Sequence, residues 1–142
     1  MKILLAVDGS KPSLGAVAVL IEHVAQYRAK PEVELVTVHV PVPKLPRMSM
    51  VVGKQQIAKY YEEEGEANLA AAKKKLDAAG VAYTASVLIG PIAETIVKQA
   101  GKSKCDLICM GSRGMGEIGR ALLGSTAAKV LHLASQPLLI VK

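Results

Sequence analysis

The chain alternates short unbroken apolar runs with longer stretches in which apolar residues recur every three or four positions. Lys2 to Val7 is such a run, without helical period, and it stops at Asp8-Gly9-Ser10, residues that favour turns and caps. It predicts a buried strand. Ser10, ahead of Lys11-Pro12, is placed to cap a helix in which Leu14, Val17, Ala18, Ile21 and Ala25 repeat at helical spacing. Glu32 to Val40 carries Val33, Leu35, Val36, Val38 and Val40, a β-branched second strand that Pro41, Pro43 and Pro46 end. From Lys54 to Ala79 the residues Ile57, Tyr61, Leu69, Ala72, Leu76 and Ala79 form one long apolar stripe, closed by Gly80. Tyr83 to Ile89 predicts a third strand. Gly90-Pro91 then opens a helix with an inner face of Ile92, Ala93, Ile96, Val97 and Ala100. Leu107 to Met110 is a fourth strand. After a glycine-rich stretch, Ala127, Val130, Leu131 and Ala134 form a last helical face, Pro137 breaks it, and Leu138 to Val141 is a fifth strand.

Strand and helix therefore alternate through the chain. Helices lying between apolar strands imply a parallel sheet covered on both faces, and right-handed crossovers make it an α/β doubly wound fold. At 142 residues the chain has room for one core, and residues 1–142 are read as one domain. Ligands of such sheets bind beyond the carboxyl ends of the strands, near the point where strand order reverses. That directs attention to Asp8 to Ser10, Val40 onward, Ile89 to Pro91 and Gly111 onward.

The stretch after the fourth strand is the most informative. Gly111 to Ser125 holds five glycines in fifteen residues, with Thr126 following. Glycines let backbone amides approach a ligand, and Ser125 and Thr126 stand where the last helix begins, an end that favours an anion. The segment reads as a phosphate cradle. Arg113 and Arg120 add positive charge, and no Asp or Glu occurs from Ile118 to Lys142. Both arginines suit a phosphate or a solvated surface equally. Gly114, Gly116 and Gly119 match the dinucleotide spacing G-x-G-x-x-G, which expects an acidic residue roughly twenty positions later. None follows Glu117. A phosphate-binding loop of the NTPase type needs Lys and then Ser or Thr after its last glycine. Arg120-Ala121 and Ser125-Thr126 supply no such lysine.

Composition removes further classes. Phe and Trp are absent and Tyr occurs four times, so the aromatic platforms on which single-stranded nucleic acids stack are missing. Eighteen Lys plus Arg against twelve Asp plus Glu give a formal charge of +6. The basic residues are scattered or mixed with acids, as in Glu62-Glu63-Glu64 followed by Lys73-Lys74-Lys75, which reads as solvated helix surface rather than a nucleic-acid footprint. No apolar stretch approaches the roughly 20 residues of a membrane helix, and Asp8 interrupts the opening run too early for a signal peptide, so a cytoplasmic location is expected. Cys105 and Cys109, if on one strand, have α-carbons about 13 Å apart and cannot pair. They read as small core hydrophobes. His23, His39 and His132 show no ligand spacing with them, and His39 reads as a strand residue rather than a catalyst.

A third pattern covers the same glycines: Gly111-x-x-Gly114, nine residues, then Gly124-Ser125. With Val7-Asp8-Gly9-Ser10, Val38-His39-Val40, the Gly90-Pro91 turn, Asp106-Leu107-Ile108 and the closing Pro137-Leu138-Leu139-Ile140-Val141, it resembles the ATP-binding subclass of the universal stress protein family. The resemblance spans nearly the whole chain. It implies a Rossmann-like five-stranded sheet in the order 3-2-1-4-5 and a homodimer joined through the last strands. It also implies a site. Asp8 and Val40 are similar to positions that hold adenine and ribose, Gly111 and Gly114 to positions near ribose and phosphate, and Gly124, Ser125 and Thr126 to those that grip the phosphates, with a divalent ion such as magnesium sometimes bridging. Asp8 has a second reading, as a turn cap. Met48 and Met50, in the 41–53 segment, read as an ordinary loop in preference to a flap over the base. The function implied is ATP-dependent regulation in a stress response, with no catalytic residue assigned. Two alternatives stay open: slow magnesium-dependent ATP hydrolysis through Asp8, and a dimeric interaction protein that binds no nucleotide. Phosphoryl transfer lacks its usual lysine and base here.

Overall fold

The computed structural model describes residues 1–41, 53–114 and 123–142. In chain order these form β1 (Lys2–Ala6), α1 (Lys11–Val24), β2 (Glu32–His39), α2 (Lys54–Ala78), β3 (Tyr83–Ile89), α3 (Ile92–Lys102), β4 (Leu107–Gly111), α4 (Ser125–Leu133) and β5 (Leu138–Val141). The five strands make one parallel sheet in the order β3-β2-β1-β4-β5. The predicted elements are all present. Expected segments 41–53 and 112–123 fall largely outside the described residues, and so do Met48, Met50 and Arg120.

Alternation along β1 divides the core into two layers. Ile3, Leu5 and Val7 meet Ala16, Val17 and Leu20 of α1 and Leu69, Ala72 and Leu76 of α2. Leu4 and Ala6 face the other way, onto Ala93, Ile96 and Ala100 of α3 and Ala127 and Val130 of α4. Every one of these side chains is aliphatic, so the layers close without Phe or Trp. A central strand buried on both sides needs an unbroken apolar run, which is why β1 showed no period.

The two cysteines require a correction. Cys105 precedes β4 instead of lying on it, tied to the end of α3 by its N–H, which donates to Ala100 O at 2.9 Å. Its side chain packs in the α3–α4 layer, while Cys109 packs in the α1–α2 layer. Both are free, buried thiols, as expected. Burial pushes Cys109 up to about 12; burial, then the Glu34 carboxylate, pushes Cys105 up to about 11.

Two glycines set how closely the helices approach. A β-carbon on Gly65 of α2 would collide with the Val87 side chain on β3, so its absence lets the helix lie down on the sheet. Gly9, at φ +80°, turns the chain after β1 in a conformation that L side chains rarely adopt, and packs against Asn68 of α2. No helix among the described residues is long and apolar enough to cross a membrane.

The amino ends of the strands are closed by a polar network around Glu34, which is only 7% exposed. Gln99 Nε2 donates to Glu34 Oε1 at 2.5 Å, Lys2 Nζ lies 3.6 Å from Glu34 Oε2, and the Cys105 thiol reaches Oε2 at 3.8 Å. The Lys2 N–H donates to Asp106 Oδ2 at 2.7 Å. Burial raises the Glu34 carboxyl, but hydrogen bonds from Ser103 and Gln99 and the Lys2 charge outweigh it and hold the group below its ordinary value.

Candidate functional site

Strand order reverses at β1, between β2 on one side and β4 on the other. Beyond the carboxyl ends of these three strands lies a cavity of about 470 Å³. That size suits a small organic ligand. Asp8, Val40, Gly111, Arg113, Gly114, Gly124, Ser125 and Thr126, the residues singled out in the sequence, all line it.

The turn after β1 supports both readings of Asp8. Its Oδ1 accepts the Ser10 N–H at 3.0 Å, which is the turn-capping role. Ser10 in turn caps α1 by accepting the Ser13 N–H at 3.4 Å, and Ser13 Oγ donates back to Ser10 O at 2.9 Å. The other oxygen, Oδ2, faces β4's extension, for a β-carbon on Gly114 would come within 2.6 Å of it. Asp8 is therefore locked by its own turn while presenting an edge to the cavity.

Gly111 and Gly114 differ in what they accommodate. A β-carbon on Gly111 would meet the Pro12 carbonyl carbon at 2.8 Å and its oxygen at 2.9 Å, so the first turn of α1 already demands glycine there. Gly111 has a packing reason independent of any ligand. Its strand continues one residue past Met110 because Gly111 pairs with Val141 and the Ser112 N–H donates to Val141 O at 2.6 Å.

Gly124 also has a defined partner. Its N–H donates to Ser112 O at 2.7 Å, clamping the start of α4 to the end of β4. That amide is committed to the clamp, so the anion-binding donors of this end belong to the following residues of the first turn. Gly124 is the N-cap of α4 and supplies no side-chain oxygen. The helix begins at Ser125, two residues ahead of its apolar face, and its amino end opens on the cavity, which Arg113 also lines. A helix amino end without a side-chain cap is a place that favours an anion.

Val36 and Val38 of β2, Ile92 and Ile96 of α3 and Met110 form an apolar slot in the cavity wall, and Ile96 and Met110 share a packed layer with Ala127 of α4. Val40 remains 61% exposed, standing at the rim rather than in the core.

Sequence reasoning missed three polar members of the wall. His39 lines the cavity at the end of β2, with Nε2 buried and no hydrogen-bond partner among the described residues, and its ring lies 6.2 Å from that of Tyr61. Glu64 and Asn68 reach the cavity from α2. The sequence reads Glu64 as solvated helix surface; it is exposed, yet it belongs to this wall. Their spacing of four places them on one helix face, but only the packing of α2 shows which face that is. Among the described residues no three His, Cys, Asp or Glu side chains group so as to hold a metal ion.

Comparison with known proteins agrees with this fold. The model of the universal stress protein family matches residues 1–142. Universal stress protein MJ0531 of Methanocaldococcus jannaschii is 35% identical over 141 residues, covering 99% of this chain and 81% of the relative. Among solved structures, protein MJ0577 of the same organism superposes with a TM-score of 0.82 at 27% identity, covering 99% of this chain and 94% of the other. A universal stress protein solved in complex with cAMP superposes with a TM-score of 0.73 at 25% identity, covering 100% and 97%. With this sheet order and a match along its full length, the chain belongs to the universal stress protein family.

Proposed function

We propose that the cavity binds an adenine nucleotide, ATP in the first instance, and that the protein acts as a nucleotide-dependent regulator. The observation that carries this reading is the meeting, in one cavity, of a positive end with an apolar slot. The positive end is the start of α4, which has no side-chain cap, in a wall that Arg113 also lines. Phosphate oxygens supply the cap that Gly124 lacks, Ser125 and Thr126 add hydroxyls, and the base enters the slot beside Val38 and Val40. The base is read there by backbone groups and aliphatic contact, with the His39 ring in the same wall. The solved relative with cAMP supports the ligand class. Were a divalent ion bound with the phosphates, Asp8 would be the residue placed to help hold it, and the ion would supply charge neutralisation there. A nucleotide so held touches Gly114 and Gly124, on either side of the 115–123 segment, which gives occupancy a route to the surface.

Calorimetric titration of ATP, ADP and AMP tests the reading, with Gly124→Asp and Ser125→Ala as variants. Micromolar ATP binding that Gly124→Asp abolishes, without phosphate release, is expected. Metal-dependent phosphate release lost in Asp8→Asn would make the protein a slow ATPase instead. No binding at millimolar ATP would overturn both readings.

A second copy of the chain is part of the proposal. β5 is an edge strand whose Leu138, Leu139 and Ile140 are only half-buried, and soluble proteins rarely leave such an edge uncovered. Light scattering at micromolar concentration is expected to find a dimer; a monomer would remove this part.

A further inference from the structure

We propose that Glu64 of α2 selects the sugar of the bound nucleotide, accepting hydrogen bonds from the vicinal hydroxyls of a ribose. The inference rests on the nucleotide reading of the cavity and adds a specificity determinant to it.

The acidic residues of this part of α2 are not equivalent. Glu63 pairs with Lys59 at 3.6 Å and Glu66 with Lys73 at 2.5 Å, both along the helix surface. Glu64 has no such pair among the described residues and instead lines the cavity. The backbone around it is held on two sides. Gly65 lies against Val87 of β3, and Asn68, one turn on, packs against Gly9 with its Oδ1 3.1 Å from where a β-carbon would stand. A helix so anchored presents the residue at position 64 in a defined direction.

The ligand's middle is what this wall faces. Adjacent strands lie about 4.8 Å apart, so the ends of β4, β1 and β2 span about 10 Å. Phosphates at the β4 and α4 end and a base at the β2 end leave the sugar over the end of β1, beside Asp8. Asn68 touches the residue immediately after Asp8. Helix α2 follows the outer end of β2 and returns to the start of β3, so Glu64 stands about 6 Å farther toward the mouth than Asn68, on the same helix face. A carboxylate repels phosphate and takes donors only. Two adjacent hydroxyls are donors matched to its two oxygens, as in dinucleotide sites where an acidic side chain holds the ribose.

The test compares ATP, 2′-deoxy-ATP and 2′,3′-dideoxy-ATP by equilibrium titration against the wild-type chain, Glu64→Ala and Glu63→Ala. Wild-type protein is expected to prefer ATP over the dideoxy form by about tenfold or more, the scale of a charged hydrogen bond. In Glu64→Ala the preference collapses toward unity while dideoxy binding holds, and Glu63→Ala keeps the wild-type ratio. An unchanged ratio in Glu64→Ala, an equal loss for all three nucleotides, or the same collapse in Glu63→Ala would each overturn the assignment. Wild-type protein that binds none of the three would overturn the nucleotide reading itself, and this assignment with it.

Discussion

The two ends of the sheet are built on opposite principles. At the amino end, Glu34 is surrounded by Gln99, Lys2, Ser103 and Cys105, so a buried carboxylate is met by donors on several sides. At the carboxyl end, glycines replace side chains, α4 starts without a side-chain cap, and His39 Nε2 in the cavity wall is buried with no hydrogen-bond partner among the described residues. A satisfied polar cluster rigidifies a fold, whereas unmet polar groups around a cavity favour a ligand that meets them. Both ends are polar, so polarity itself does not mark the site. The difference is whether the protein completes its own hydrogen bonds.

The largest effect is expected where the carboxyl end has no room to yield. Gly111→Ala drives a β-carbon into the Pro12 carbonyl, backbone that cannot rotate aside, and is expected to lower stability by about 1–3 kcal/mol in chemical denaturation. Gly114→Ala meets the tip of a side chain, the Asp8 carboxylate, and not backbone, so its stability loss is smaller and its effect falls on ligand binding. Equal stability losses in the two would break the distinction between packing glycine and site glycine.

The smaller effect tests the amino end. Glu34→Gln removes the charge that Lys2 and the surrounding donors stabilise, at a cost of about 1–2 kcal/mol near neutral pH, while ATP affinity stays at the wild-type value. Because the Glu34 carboxyl titrates below its ordinary 4.5 in the folded chain, its stabilisation is full above that value. It is lost as pH falls through the lowered folded value. Denaturation midpoints followed from neutral into the acid range should therefore decline in the wild type and decline less in Glu34→Gln. A variant that loses ATP binding without losing stability would show the two ends to be coupled and blunt the contrast.

Much of this was legible beforehand, for identifiable reasons. A parallel strand buried on both faces must be an unbroken apolar run, so β1 declared itself by Ile3 to Val7, while β5 shows such a run, Leu138 to Val141, at a half-buried edge. The start of α4 was legible in Gly124-Ser125-Thr126 because helix termini have few solutions. Less visible were distinctions that depend on neighbours. Gly111 and Gly114 look alike in the chain, yet one makes room for α1 and the other lies against Asp8. Gly124 lines the cavity, and the chain alone does not show that its amide ties α4 to Ser112.

Local chemistry along the chain determined the element order, the aliphatic core and the place where strand ends and glycines would gather. Those follow from periodicity and backbone sterics, which act within a few residues. Only the tertiary structure decided which side of α2 faces the cavity, and so that Glu64 is separated from its neighbours Glu63 and Glu66. The approach of α2 is set by Gly65 against Val87 and Asn68 against Gly9, contacts between residues distant in sequence. No local pattern encodes a rotation that packing alone imposes.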